Sequence, residues 1–401
     1  MYRRVAGVGL ALTMLVAGCG HSSSTSQGPA TSSTPVPSVA TSSTRAASAT
    51  SQAARDLPDP HTLRGLTEVP ELPDPKPVEG SSAQKLPVTV TDVEGNKVTI
   101  KSTSRILALD LYGTLSRTLI GLGLGDKIVG RTVSSTEKQL HDRPVVTENG
   151  HVLNVEAVAG LKPSVIIADR SVGPKEALDQ LRKSGIPVVL VDPHRSVGST
   201  PQLIRTIADA VGKPDAGEAL VKRTQEQIDQ AKKQIAAWKP AKPMRVAFLY
   251  VRGNAGVFFI LGSENGASEL IQGVGADDVA SDKGITTLVP ANAESLVSIN
   301  PDAIFVMRDG LASTGGMKGL LARAGVANTT AGRKQRVISI PDGISLSFGP
   351  QTGEVLTAVA KALYGVKLAP CHSRLSSVLG LSDGLGFALS PPSASSSSYV
   401  V

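Results

Sequence analysis

His151 and Tyr250 are of types that could hold ferric iron, with Arg252 close by in sequence to the second. A phenolate oxygen suits ferric iron better than a thioether does, and an imidazole nitrogen from the opposite side completes an axial pair. Tyr250 comes at the end of an apolar, strand-like run, where open α/β sheets place their ligand crevice. Arg252 stands two residues on, so in an extended chain it points the same way as the phenol. A guanidinium there favours the phenolate form or pairs with an anionic group of a ligand. His151 follows Gly150 and precedes Asn154, a good helix N-cap, which puts it in a loop. Taken singly, such a histidine is ordinarily a surface residue and such a tyrosine ordinarily packing. The ligand reading rests on their combination. Arg131, in Gly130-Arg131-Thr132, and Tyr112, after the apolar run 106–109, are further candidates to line the crevice, beside the plain readings of exposed arginine and strand-end packing.

Other chemistries find little support. His21, His61, His141, His151, His194 and His372 are scattered, which argues against a zinc site of converging imidazoles. There is no Gly-x-Ser-x-Gly elbow, no His-Glu-x-x-His and no phosphate-binding glycine loop, so no catalysis and no catalytic cofactor are expected. The net charge is +7, but without a dense Lys/Arg tract, and only 3% of residues are aromatic, so nucleic acid is not an expected partner.

An α/β body must position these residues. Residues 86–91 and 97–101 alternate as two strands around Glu94-Gly95-Asn96, and 106–109 reads as a buried parallel strand. Helix-like 155–161, strand-like 165–168, helix-like 175–184 and strand-like 188–191 follow. A similar order returns with strand 245–251, helices 267–273 and 293–299, and strand 303–307. The clearest internal echo is Asn154-Val-Glu156 with Pro163, repeated as Asn292-Ala-Glu294 with Pro301. Between the halves, Leu220, Thr224, Ile228, Ala231, Ile235 and Trp238 recur at helical spacing, with Lys222, Arg223, Asp229, Lys232 and Lys233 on the other face. Pro240 and Pro243 end that helix, and a last helix runs 352–363. The expected fold class is therefore α/β, two Rossmann-like lobes joined by a long spine helix.

The ends carry separate signals. Arg3 and Arg4, the apolar run 5–16 and Val16-Ala17-Gly18-Cys19 stand in the order of a signal peptide. The expected organisation is a signal peptide over 1–18, a disordered tether over 19–84, an N-terminal lobe over 85–198, the spine over 199–240, a C-terminal lobe over 241–368 and a disordered tail over 369–401. Within the tether, 21–54 is poor in charge and apolar residues, and 56–80 is rich in Pro and Asp and reads as extended. Cys19 and Cys371 are the only cysteines. With Cys19 acylated, no intramolecular disulfide can form, and the body must rest on its cores alone.

On these features the chain resembles the periplasmic-type binding proteins for iron complexes and cobalamin that carry a helical spine, over about residues 87–364. The motifs are Gly150-His-x-Leu-Asn-x-Glu156 with Leu161-Lys-Pro163, and Asn300-Pro-Asp302 after Glu294; Val16–Cys19 looks like a bacterial lipobox. Gly150-His151 and Tyr250-Val-Arg252 resemble the haem-ligand positions of actinobacterial haem-binding lipoproteins. The resemblance implies a monomeric, lipid-anchored substrate-binding protein at the extracytoplasmic face of the membrane. It would hold haem between its lobes through His151 and Tyr250, with Arg252 against the phenol or a propionate, and present Glu156 and Glu294 to an ABC permease. In Gly349-Pro350-Gln351-Thr352 a glutamine replaces the arginine that the family often carries, so one basic ligand contact is in question. A ferric siderophore held by Arg131 and Arg252 is the alternative ligand, and an enzyme or cell-envelope interaction protein on the same scaffold the alternative class.

Overall fold

A computed structural model describes residues 57–79, 83–253 and 256–366. The signal peptide, Cys19 and the tail from 369 lie outside the described residues.

In the N-terminal half, β1 (Leu66–Glu68) precedes the hairpin β2 (Val88–Thr91) and β3 (Lys97–Ile100), whose turn is closed by the Asp92 carboxylate accepting from Asn96 N at 2.8 Å. Then come β4 (Ile106–Leu109), α1 (Thr114–Gly121), β5 (Ile128–Gly130), the short β6 (Thr147–Glu148) and β7 (Val152–Leu153), α2 (Val155–Gly160), β8 (Val165–Ala168), α3 (Lys175–Lys183) and β9 (Val188–Leu190). β5, β4, β8 and β9 form one parallel sheet in that order. Every residue of β4, β8 and β9 is buried, as continuous apolar runs covered on both faces require.

Two helices lead into the second half: α4 (Thr200–Ala210) and the 25-residue α5 (Pro214–Trp238), roughly 37 Å long at 1.5 Å per residue. Pro214 opens α5 at the position where its missing N–H costs nothing. The buried face is Ala216, Gly217, Leu220, Val221, Thr224, Ile228, Ala231 and Ile235, which contains the stripe read from the sequence except Trp238, only half-buried at the helix end.

The C-terminal half contains β10 (Arg245–Arg252), β11 (Val257–Ile260), α6 (Ala267–Gly273), β12 (Asp277–Asp278), β13 (Val289–Pro290), α7 (Ala293–Ile299), β14 (Ala303–Met307), α8 (Arg308–Ser313), α9 (Gly316–Leu321), α10 (Thr330–Lys334), β15 (Val337–Ile340), α11 (Asp342–Ser345) and α12 (Thr352–Tyr364). The sheet order is β1-β15-β14-β10-β11-β13, with β12 also on β10. α12 lies along α5, so close that a Cβ on Gly353 would sit 2.5 Å from the Gln227 carbonyl oxygen.

The Asn-x-Glu echo is structural. Asn154 and Asn292 cap α2 and α7, accepting from Ala157 N at 2.9 Å and Ser295 N at 2.8 Å. After each helix a residue takes positive φ, Lys162 at 46° and Asn300 at 36°, before Pro163 or Pro301 and a buried parallel strand.

Residues 57–79 depart from the expected extended tether. β1 pairs in parallel with β15, and Val69 is fully buried in the C-terminal core. Asp74 then accepts from Lys138 N and Gln139 N of the N-terminal half, both at 2.9 Å, and Val78 N donates to Gly121 O. The proline- and acid-rich composition reads as extended because it lacks helix formers. Its few apolar residues nonetheless find a ready-made sheet edge.

Candidate functional site

The C-terminal wall is built at the end of β10. β14 follows β10 in register only to Leu249, so Tyr250, Val251 and Arg252 extend beyond the parallel ladder, held by β11 alone. Tyr250 and Arg252 share one face there, and the Arg252 guanidinium lies 5.0 Å from the centre of the Tyr250 ring. Arg252 Nη2 donates to Asp342 Oδ1 at 2.6 Å, and Asp309 N donates to Asp342 Oδ2 at 2.8 Å. Burial holds the Asp342 carboxyl above its ordinary range, against the opposing pull of Arg252. Among the described residues, nothing hydrogen-bonds the Tyr250 phenol oxygen.

A second tyrosine–arginine stack stands on the N-terminal half. Arg195, fully buried, lies 5.4 Å from the Tyr112 ring centre, and ion-pairs with Asp169 and, at 3.6 Å, with Asp110. Asp110 and Asp169 directly follow β4 and β8. Burial, and then the neighbouring Asp169, push Asp110 up to about 7, and its Oδ1 has no described partner. Burial and the same two carboxylates also raise the Tyr112 phenol. Both tyrosines thus carry an arginine beside the ring, but Tyr112 also has two buried carboxylates near it.

His151 sits at the exposed tip of the β6–β7 hairpin, where Asn149 (φ 49°) and Gly150 (φ 88°) take left-handed conformations that their residue types tolerate. Asn154 Nδ2 donates to Glu148 Oε1 at 2.8 Å across the hairpin base, and Gly173 N donates to His151 O at 2.9 Å. Gly173 lies beyond the carboxyl end of β8, so His151, Tyr112 and Tyr250 all stand past the carboxyl ends of parallel strands, where such sheets carry ligands. No described contact joins His151 to Tyr250.

The floor between the halves is polar on one side and apolar on the other. Tyr112 and Tyr250 both pack against one apolar cluster that includes Ile344, Leu346 and Phe348. Arg117 of α1 donates to Gly343 O at 3.3 Å and to Gln351 Oε1 at 2.8 Å, and pairs with Glu137 at 3.3 Å. Gln351 also donates to Pro73 O at 2.9 Å. It is buried and ties both halves and the 57–79 segment together, which accounts for the residue at the place where the sequence left a ligand contact in question.

Arg131 is half-buried and turns toward Ser135 O at 3.4 Å. Glu156 and Glu294 are exposed in the first turns of α2 and α7. A cavity of about 700 Å³ lies elsewhere, between α5, α12 and residues 63–72; none of these residues lines it. Sequence reasoning did not find Arg195, Asp169, Asp110, Asp342 or Arg117. One signal was there: the apolar strands end Leu109-Asp110 and Ala168-Asp169, an acid after each.

Two α/β halves built around parallel strands, a long helix between them and polar groups past the strand ends define a two-lobed substrate-binding protein. The chain belongs to the periplasmic binding protein family, whose model matches residues 111–343. A crystal structure of the haem-binding protein HmuT is 49% identical, with TM-score 0.75, over 77% of this chain and 99% of that one. The periplasmic haem-binding protein RhuT from Roseiflexus sp. RS-1, in apo form, is 32% identical over 66% of this chain and 99% of that one, with TM-score 0.62. The uncharacterized ABC transporter substrate-binding lipoprotein YvrC of Bacillus subtilis is 27% identical over 69% of this chain and 86% of its own length.

Proposed function

We propose that this chain is the substrate-binding lipoprotein of an ABC importer, that it binds ferric haem between its lobes through Tyr250 and His151, and that it catalyses no reaction. The observation that carries this reading is the Tyr250 phenol beyond the parallel ladder, with Arg252 5.0 Å from its ring. A guanidinium in that place stabilises the charge of an iron-bound phenolate. Tyr112, whose phenol is held above its ordinary range by burial and the nearby Asp169 and Asp110, serves as a contact to the macrocycle, and Arg131 as a further contact at the crevice rim. HmuT has also been solved with a histidine, a tyrosine or an arginine replaced by alanine. Those three positions are spaced along its chain as His151, Tyr250 and Arg252 are here, which supports the same three as the ligand set. Glu156 and Glu294, capped alike in each lobe, give one acidic contact per lobe for a permease. An acylated Cys19 would hold the protein, as a monomer, at the extracytoplasmic face of the membrane.

Titration with ferric haem followed by absorbance tests the reading. The expected spectrum contains the phenolate-to-iron charge-transfer band, and Tyr250→Phe should remove it and weaken binding by more than the roughly 10–100-fold typical of outer-shell changes. A chain that gives no specific haem spectrum, or a His151→Ala variant that keeps full affinity for an iron complex, points instead to a ferric siderophore.

A further inference from the structure

Arg252 is held in place by groups other than the tyrosine it covers. Its Nη2 is fixed by Asp342 Oδ1 at 2.6 Å and lies 3.4 Å from Met307 Sδ. The second oxygen of Asp342 is fixed in turn by Asp309 N at 2.8 Å. A Cβ on Gly310 would collide with the Arg252 guanidinium and with the Val251 carbonyl, so the missing side chain at 310 leaves the slot that the guanidinium fills.

Asp342 opens the four-residue α11, and the same turn is gripped from the other lobe. The carbonyl of Gly343 accepts from Arg117 Nε at 3.3 Å, and a Cβ on Gly343 would strike the Thr136 side chain. Arg117 is itself immobilised by Glu137 at 3.3 Å and by Gln351 at 2.8 Å. One residue of α11 thus positions the guanidinium beside the candidate ligand tyrosine, and the next is held by the opposite lobe.

We propose that Asp342 is the positioning residue that sets Arg252 against Tyr250, and that α11 couples this setting to the registry of the two lobes. With the lobes in register, Asp342 pins the guanidinium where it stabilises a phenolate bound to ferric iron. When the lobes are pried apart, Arg117 draws on Gly343, Asp342 shifts and the guanidinium leaves the phenolate. The iron–oxygen bond weakens at the moment when release is required. α11 is then the element through which the ligand contact and the lobe contact act on each other. The inference rests on the reading of Tyr250 as an iron ligand.

The test uses the full-length chain in detergent, loaded with ferric haem, and reads the charge-transfer band and the rate of haem loss to an excess of a haem-scavenging globin. Asp342→Asn should shift the band and speed loss on the order of tenfold, as outer-shell changes do. Asp342→Glu should restore most of both. Arg117→Lys, which touches neither iron nor tyrosine, should also speed loss, and its effect should not add to that of Asp342→Asn. Gly310→Ala displaces the guanidinium without altering Asp342, and should reproduce the shifted band even if Asp342→Asn does not fold. Wild-type behaviour in Asp342→Asn or in Gly310→Ala overturns the positioning role, and independent, additive effects of Arg117→Lys and Asp342→Asn overturn the coupling. A normal wild-type band with unaltered variants sinks this inference alone; a wild-type chain without the band sinks the haem reading and this inference with it.

Discussion

Asp110 is a carboxyl buried with more acid than base around it: Asp169 and Glu137 oppose its charge, Arg195 favours it, and Tyr112 lies close by. Its value rises from 3.8 to about 7, chiefly through desolvation. The folded state therefore binds this proton more tightly than the unfolded chain. The resulting stabilisation is complete below about pH 4 and is lost as the pH climbs through about 7. Asp110→Asn keeps a neutral acceptor for Thr114 N, which donates to Asp110 Oδ2 at 2.9 Å. Melting followed across that range should show Tm falling in the wild type and a decline flatter by a few degrees in the variant. An identical slope in both proteins would assign the pH dependence to other groups. Sequence reasoning missed this acid although it directly follows a buried apolar strand. The pairing of β4 with β8 that sets Asp169 beside it, and the approach of Arg195, exist only in the folded chain. Tyr250 and Arg252 were legible because a strand's alternation is local.

At the scale of elements, the echo of Asn-x-Glu and Pro was readable because capping and the turn after it are written within ten residues. So was the stripe of α5, whose buried positions follow helical spacing. Residues 57–79 were not readable as a packed segment, since pairing with β15 depends on an edge supplied by residues 337–340. The contact of α12 with α5 is of the same kind, decided at Gly353. Gly353→Ala would place a methyl 2.5 Å from the Gln227 carbonyl and 2.7 Å from Ile228 N, and two helix backbones cannot yield as a flexible side chain can. The expected loss is about 1–3 kcal/mol in denaturant unfolding. A stability within a few tenths of the wild type would mean that the helices separate without cost.

For the whole molecule, transport and ligand binding should separate. Glu156 and Glu294 are exposed and far along the chain from Tyr250, so replacing both with arginine should leave haem affinity unaltered and abolish uptake in cells that carry the cognate importer. Affinity falling together with uptake would show that these acids serve the cleft. By itself the sequence determined the α/β class, two similar halves, the joining helix and the tyrosine–arginine pair, because each is written in spacing over a few turns or one strand. Tertiary structure alone decided what stands behind that pair. Asp342 meets Arg252 across 90 residues, and Arg117 meets Gly343 across 226. Contacts of that separation leave no periodic trace, since their geometry exists only once both sheets have formed and the lobes have closed on each other.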